Sequence, residues 1–260
     1  MSYKENFYSE CLILDSETTG KDYNTAEVIE SGFVIREGND WTMFNELHRP
    51  KSGVVPPAVE SICYITTEMV ADKPYFVDVK DTFQMVVDGF SEGYAVGHNY
   101  FYDMKVFQNH GITMPKKSIC TWRMVKKLLN NIPELEETNL PYLRFALDLD
   151  VPLDQRCHRA GVDSYITAKL LEKLVEIMEE LNLIDKNLPY GQQIEEWAKQ
   201  PIIYTTMQFG KHKGENINDI PLSYFQWALK NMDTLNEDSD KFDPDFAATI
   251  AATLTHRGII

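Results

Sequence analysis

Residues 11–20 read CLILDSETTG. The apolar run from Cys11 to Leu14 has the length and composition of a strand buried on both faces. It ends in Asp15, Ser16 and Glu17, followed by a turn-like Thr18-Thr19-Gly20. Side chains along a strand alternate, so Asp15 and Glu17 share a side. Two carboxylates that close repel each other and lose hydration on burial unless a cation lies between them. Sites in open α/β sheets collect at the carboxyl ends of strands. The pair is therefore either a solvated strand end or part of a site for a hard divalent ion. All-oxygen ligation suits Mg²⁺, with Mn²⁺ able to substitute.

Working outward, residues 26–35 and 41–50 read as further strands, the latter stopping at Pro50. Residues 56–65 read as a short helix opened by prolines, and 76–90 carry Val79, Phe83, Val86, Val87 and Phe90 at helical spacing. A short strand at 93–99 runs into helices at 102–111 and 119–129. The longest pattern, 163–181, aligns Ile166, Leu170, Leu174, Ile177 and Leu181 in one stripe. Strands followed by alternating helices imply an α/β sheet covered by helices. A polar stretch at 184–201 reads as a linker between a domain at 1–183 and a small α+β region at 202–260. That region is expected to hold a hairpin around FGKHKG, then helices from residue 222 and from residue 244. Asp243 is its expected N-cap, Pro244 sits at N1, and Phe225 and Trp227 read as core.

With 260 residues the chain can bury a substantial core. Its net charge of −15 argues against wrapping a long duplex, which needs a basic face. It leaves room for gripping a few nucleotides in a pocket whose charge is set by bound cations. Cys11, Cys63, Cys120 and Cys157 are widely spaced and read as reduced thiols of a cytoplasmic protein. No apolar run is long enough to cross a membrane, and no secretory leader is evident.

Three further residues bear on the acids. Asp103 follows the strand at 93–99 in GHNYFYD, where a first-turn acid is often just a dipole partner. His98 and Asn99 are turn residues by the same reasoning. Asp163 opens the longest helix, where an N-cap role is the plainer reading, and His158 stands five residues earlier in HRAGVD. Taken together, four acids and one histidine, each at an element end, fit one chemistry. Two divalent ions held by carboxylates flank an in-line displacement at phosphorus, and the histidine activates water.

LDSETTG, GHNYFYD and HRAGVD, in that order, resemble the three motifs of the DEDDh (DnaQ-like) 3′-to-5′ exonucleases, over residues 10 to about 180. Three other stretches, beginning at Pro56, Ile119 and Phe209, resemble one branch of that family and extend the likeness over nearly the whole chain. The resemblance implies an RNase H-like fold, a mixed five-stranded sheet flanked by helices. It implies that Asp15, Glu17, Asp103 and Asp163 bind two Mg²⁺ and that His158 is the general base. It implies release of 5′-mononucleotides from DNA 3′ ends, with a role in repair. Thr18, Thr19, His98 and Asn99 are then the expected substrate contacts, with Tyr100 and Tyr102 narrowing the nucleotide pocket. Cys63 stands where many relatives carry histidine.

Lys211 and Lys213 read either as a phosphate-touching basic turn or as solvated turn residues. RNA ends are the alternative substrate. A non-catalytic binding module is the alternative of another kind, although all five motif residues are present.

Overall fold

The computed structural model describes residues 2–128, 135–152, 154–239 and 241–259. The chain divides into two compact units, Met1–Lys199 and Gln200–Ile260.

In the first unit the order is α1 (Tyr3–Ser9), β1 (Cys11–Thr18), β2 (Val28–Glu37), β3 (Asp40–Leu47), α2 (Pro57–Cys63), α3 (Thr67–Val70), α4 (Phe76–Asp88), β4 (Tyr94–Gly97), α5 (Tyr100–Asn109), β5 (Lys117–Cys120), α6 (Thr121–Leu128), α7 (Leu140–Ala146), α8 (Ala160–Glu180) and α9 (Tyr190–Lys199). The strands form one mixed sheet in the order β3-β2-β1-β4-β5. β1, β2 and β3 are antiparallel neighbours, whereas β4 runs parallel to β1 and β5 parallel to β4. This is the five-stranded arrangement the motifs imply.

The apolar run of β1 is buried on both sides, as its unbroken hydrophobicity demands. Ile13 joins Val34, Val96 and Ile119 in a core with Ile166, Leu170 and Leu174 of α8. Leu12 and Leu14 face the other way, toward Phe83, Val106 and Phe107 of α4 and α5. Asp15 and Glu17 continue the parity of Ile13, which carries them to the side that α8 covers.

α8 approaches the sheet closely because two glycines remove the intervening side chains. A Cβ at Gly32 would stand 2.2 Å from the carbonyl carbon of Ala160 and 2.3 Å from the nitrogen of Gly161. One at Gly161 would stand 2.9 Å from the Cβ of Asn45. Backbone cannot swing aside as a side chain does. Gly32→Ala should therefore cost ~1–3 kcal/mol through overpacking and lower Tm by several degrees. An unchanged thermal melt would show that α8 has slack at its start.

Several expectations need correction. The stretch 184–201 is not a bare linker: it contains α9, which buries Tyr190, Ile194 and Ala198 and belongs to the first unit. Its positions i, i+4 and i+8 form a narrow stripe hidden among Gln and Glu. The segment at 119–129 splits into β5 and α6, and Leu129 lies outside the described residues. α1 was unforeseen. It is capped by the Ser2 hydroxyl, which accepts the Glu5 N–H at 3.2 Å, and it buries Phe7 and Tyr8.

The second unit has no ladder strand among its described residues. The expected hairpin is a single bridge, Thr206 to Asn216, around a 3₁₀ turn at Gly210–His212. Among its described residues the region is thus mainly helical, with this one antiparallel bridge as its β part. It comprises α10 (Leu222–Asn231) and α11 (Pro244–His256), packed through Met207, Phe225, Phe246 and Ile250. The Asp243 side chain caps α11, accepting from the N–H groups of Asp245 and Phe246 at 3.0 Å each. Phe225 is core as expected, but Trp227 is half exposed. Among the described residues no helix is long and apolar enough to cross a membrane.

Candidate active site

The sheet brings the sequence-distant acids together at the carboxyl end of β1. Asp103 is buried in the first turn of α5, and its Oδ1 accepts the Ser16 N–H at 2.9 Å and the Ser16 hydroxyl at 2.6 Å. Ser16, on the opposite parity to Asp15 and Glu17, thereby pins α5 to the strand end. Asp163 is buried in the first turn of α8. Its Oδ2 accepts the His158 N–H at 3.1 Å, while its Oδ1 is buried with no hydrogen-bond partner among the described residues. Glu17, His158 and Asp163 each offer a ligand atom within 4.8 Å of the others. Asp163 is thus not an N-cap spending its oxygens on the first helical amides, and Asp103 is more than a dipole partner.

Burial and crowding leave these carboxyls short of compensating charge. Burial, then repulsion from Asp103, Asp163, Glu17 and Glu30, lifts Asp15 well above the ordinary carboxylate range. Glu17 rises to about 8 through burial and repulsion from Asp163, Glu30 and Asp103, opposed by Arg159. Burial raises Asp103 to about 7 against the hydrogen bonds from Ser16, and Asp163 to about 7 against that from His158. Four oxygen-bearing acids, one with an orphaned buried oxygen, form a donor set suited to hard divalent cations. A bound cation supplies the charge the protein withholds.

The consequence for stability has a definite sign. Each of these acids holds its proton more tightly when folded than when unfolded, so between about pH 4 and 8 the folded chain binds more protons. Stability supplied by this cluster is present at low pH and is lost as pH rises through that window. In EDTA, Tm should therefore fall between pH 5 and pH 8, and millimolar Mg²⁺ or Mn²⁺ should restore it at pH 8. Melts that rise with pH in EDTA, or that ignore the cation, would contradict the clustered-acid picture.

A cleft of about 610 Å³ opens beside the acids, with Glu17, Thr18, Asn99 and Tyr102 on one side and Val59 and Ile62 of α2 on the other. Asn99 is exposed and left-handed, at φ 66°. The Tyr102 hydroxyl lies 2.6 Å from Thr18 Oγ1 and 2.5 Å from the Gly20 carbonyl. It ties down the SETTG turn rather than simply filling the cleft. Thr19 is spent on Glu27, just before β2, its N–H donating to the Glu27 carbonyl at 2.9 Å and its hydroxyl accepting the Glu27 N–H at 3.0 Å.

His98 does not face the cleft as a substrate contact. Its Nδ1 pairs with Thr121 Oγ1 at 3.0 Å and its Nε2 with the Thr138 carbonyl at 2.7 Å, and burial lowers it to about 4. It is a neutral clasp between β4, α6 and the segment before α7. Tyr100 likewise faces the core rather than the nucleotide cleft. Cys63 is buried with Ile65 and Val70, which makes that position local packing. Lys211 and Lys213 are exposed on the 3₁₀ turn of the second unit.

Sequence reasoning missed Ser16, Glu30 and Arg159. Glu30 left a signal, a lone charge inside the apolar run of β2.

An exonuclease family model, that of RNase T, matches residues 12–171. Exodeoxyribonuclease 10 of Escherichia coli strain K12 is 28% identical over 228 residues, spanning 86% of this chain and 92% of that protein. The 3′-5′ exonuclease DinG of Staphylococcus epidermidis is 27% identical over 192 residues, spanning 68% of this chain and 20% of that longer protein. A solved structure of exonuclease X in complex with 5′ overhanging duplex DNA superposes with a TM-score of 0.53 at 26% identity, covering 72% of this chain and 99% of that one. Exonuclease X is also the branch that the three additional sequence stretches resemble. With its three motifs, its mixed five-stranded sheet and its match to the family model, the chain belongs to the DEDDh (DnaQ-like) family and is a 3′-to-5′ exonuclease.

Proposed function

We propose that the protein is a 3′-to-5′ exodeoxyribonuclease. On this reading it releases 5′-mononucleotides from DNA 3′ ends, with two Mg²⁺ at the strand-end acids, and serves DNA repair in the cytoplasm. The observation that carries the reading is the meeting of Asp15, Glu17, Asp103 and Asp163 with His158 beside an open cleft. The family assignment supplies the reaction, and the relatives named above, one an exodeoxyribonuclease and one solved with duplex DNA, favour DNA over RNA.

Asp15, Glu17, Asp103 and Asp163 would hold the ions, which would supply positive charge at the scissile phosphodiester. His158, exposed at the lip of the site, takes the proton from the attacking water. Asp163 orients the loop by accepting the His158 N–H. Ser16 fixes the Asp103 carboxylate, and Tyr102 fixes the turn on which the terminal nucleotide would rest. The Lys211–Lys213 turn of the second unit is the proposed phosphate contact outside the site.

The test is a gel of purified protein with 5′-labelled single-stranded DNA, duplex DNA and RNA of one sequence, each with Mg²⁺ or EDTA. A Mg²⁺-dependent ladder shortening DNA from its 3′ end is expected. Shortening of RNA alone would transfer the assignment to an exoribonuclease. No shortening of any substrate would remove the catalytic reading.

A further inference from the structure

We propose that Glu30 is a positioning residue for the hydrolytic step: its buried carboxylate latches the loop that presents His158 and Asp163. This rests on the exonuclease reading above, in which those two residues act.

Glu30 lies in the middle of β2 with no exposed surface. A position inside a sheet facing a helix ordinarily takes an apolar residue, and a buried carboxylate is costly unless it is fully partnered. Here the partners converge from the loop and the first turn of α8. Oε2 accepts the Ala160 N–H at 2.8 Å, and Arg159 Nε lies 3.1 Å from both oxygens. Arg159 Nη2 reaches Oε1 at 2.5 Å, and Asn45 Nδ2 of β3 completes the set at 3.0 Å. Such a bidentate, charge-assisted arrangement fixes angle as well as distance.

What it fixes is the segment that most needs fixing. His158 is held at φ 63°, in the left-handed region that few residues other than glycine adopt. Asp163 closes the loop from inside by accepting the His158 N–H. Glu30 closes it from outside through the next two residues, Arg159 and Ala160. Gly32, two residues along β2, lets the α8 backbone come close enough for the contact. Glu30 pairs with Glu17 across the β1–β2 ladder, so the latch and the acids share one side of the sheet. Arg159, neutralised by Glu30, still lies near enough to Glu17 to oppose its upward shift.

The experiment uses the full chain and two readouts. Glu30→Gln keeps the shape but loses the charge and one acceptor. In the metal-free protein, amide exchange over residues 157–163 should accelerate at least about tenfold while exchange in α4 is unchanged. In the loaded enzyme, kcat should fall on the order of 10²-fold with KM within threefold, the signature of a misplaced group rather than of lost binding. In a His158→Asn background the same substitution should cost clearly less than in the wild type, because one of the two groups being positioned is already gone. Unchanged exchange over 157–163, or penalties that multiply in the double variant, would overturn the latch. An inactive wild-type protein would instead overturn the exonuclease reading, and the positioning role with it, even if the exchange result held. Should Glu30→Gln fail to fold, Glu30→Gln with Arg159→Met removes both charges together and is read the same way.

Discussion

Asp15→Asn is expected to abolish 3′-end hydrolysis while leaving the protein at least as stable as the wild type. Asp15 follows the apolar run inside β1, and burial, then repulsion from Asp103, Asp163, Glu17 and Glu30, raises its pKa. Asparagine keeps the shape and one carbonyl donor but supplies no charge, so it holds a divalent ion far more weakly. If the acids act through bound cations, the loss should be at least about 10³-fold, more than one neutral donor usually contributes. The same substitution removes one member of a mutually repelling group, so the metal-free melt at pH 8 should hold or rise. Retention of more than about a tenth of the activity would move the cation site away from Asp15. Loss of activity together with a collapsed melt would point to folding and deny it a part in the chemistry.

His158→Asn is the second large effect, and it separates base from ligand. Asparagine tolerates the left-handed backbone that His158 adopts, so the loop geometry should survive. Loss of a general base should cost on the order of 10²–10⁴-fold in kcat. If the imidazole acts only on water, Mn²⁺ affinity measured by electron paramagnetic resonance should stay within about threefold. A matching loss of Mn²⁺ affinity would make His158 a ligand alongside Glu17 and Asp163, whose donor atoms lie within 4.8 Å of it. A small loss of rate would place the base elsewhere.

The acids were legible because their chemistry leaves no milder reading once they are counted together. Asp15 and Glu17 break an apolar strand at a two-residue spacing, and Asp103 and Asp163 each open a helix. The mixed five-stranded sheet was legible through the motifs, whereas its order, β3-β2-β1-β4-β5, came from the structure. What stayed hidden depends on partners remote in sequence. His98 reads as a substrate contact on paper and is a clasp, because Thr121 and Thr138 take both its nitrogens. α9 hides its apolar stripe among amides and acids, and its burial becomes visible only once the sheet edge is in place. The turn around Lys211 has the glycines of a hairpin, but only the Thr206–Asn216 bridge pairs across it. Glu30 is visible in the sequence, yet its role requires Arg159 and Ala160, which lie 129 and 130 residues away.

The raised acids have a consequence for how the proposed site is filled. With Glu17 near 8 and Asp103 and Asp163 near 7, the empty cluster stores protons at neutral pH. Loading is then an exchange: a divalent ion enters as protons leave, and its apparent affinity climbs with pH. On that reading the cluster would act as an ion exchanger set near neutrality, and acid would idle the enzyme by discharging its cations.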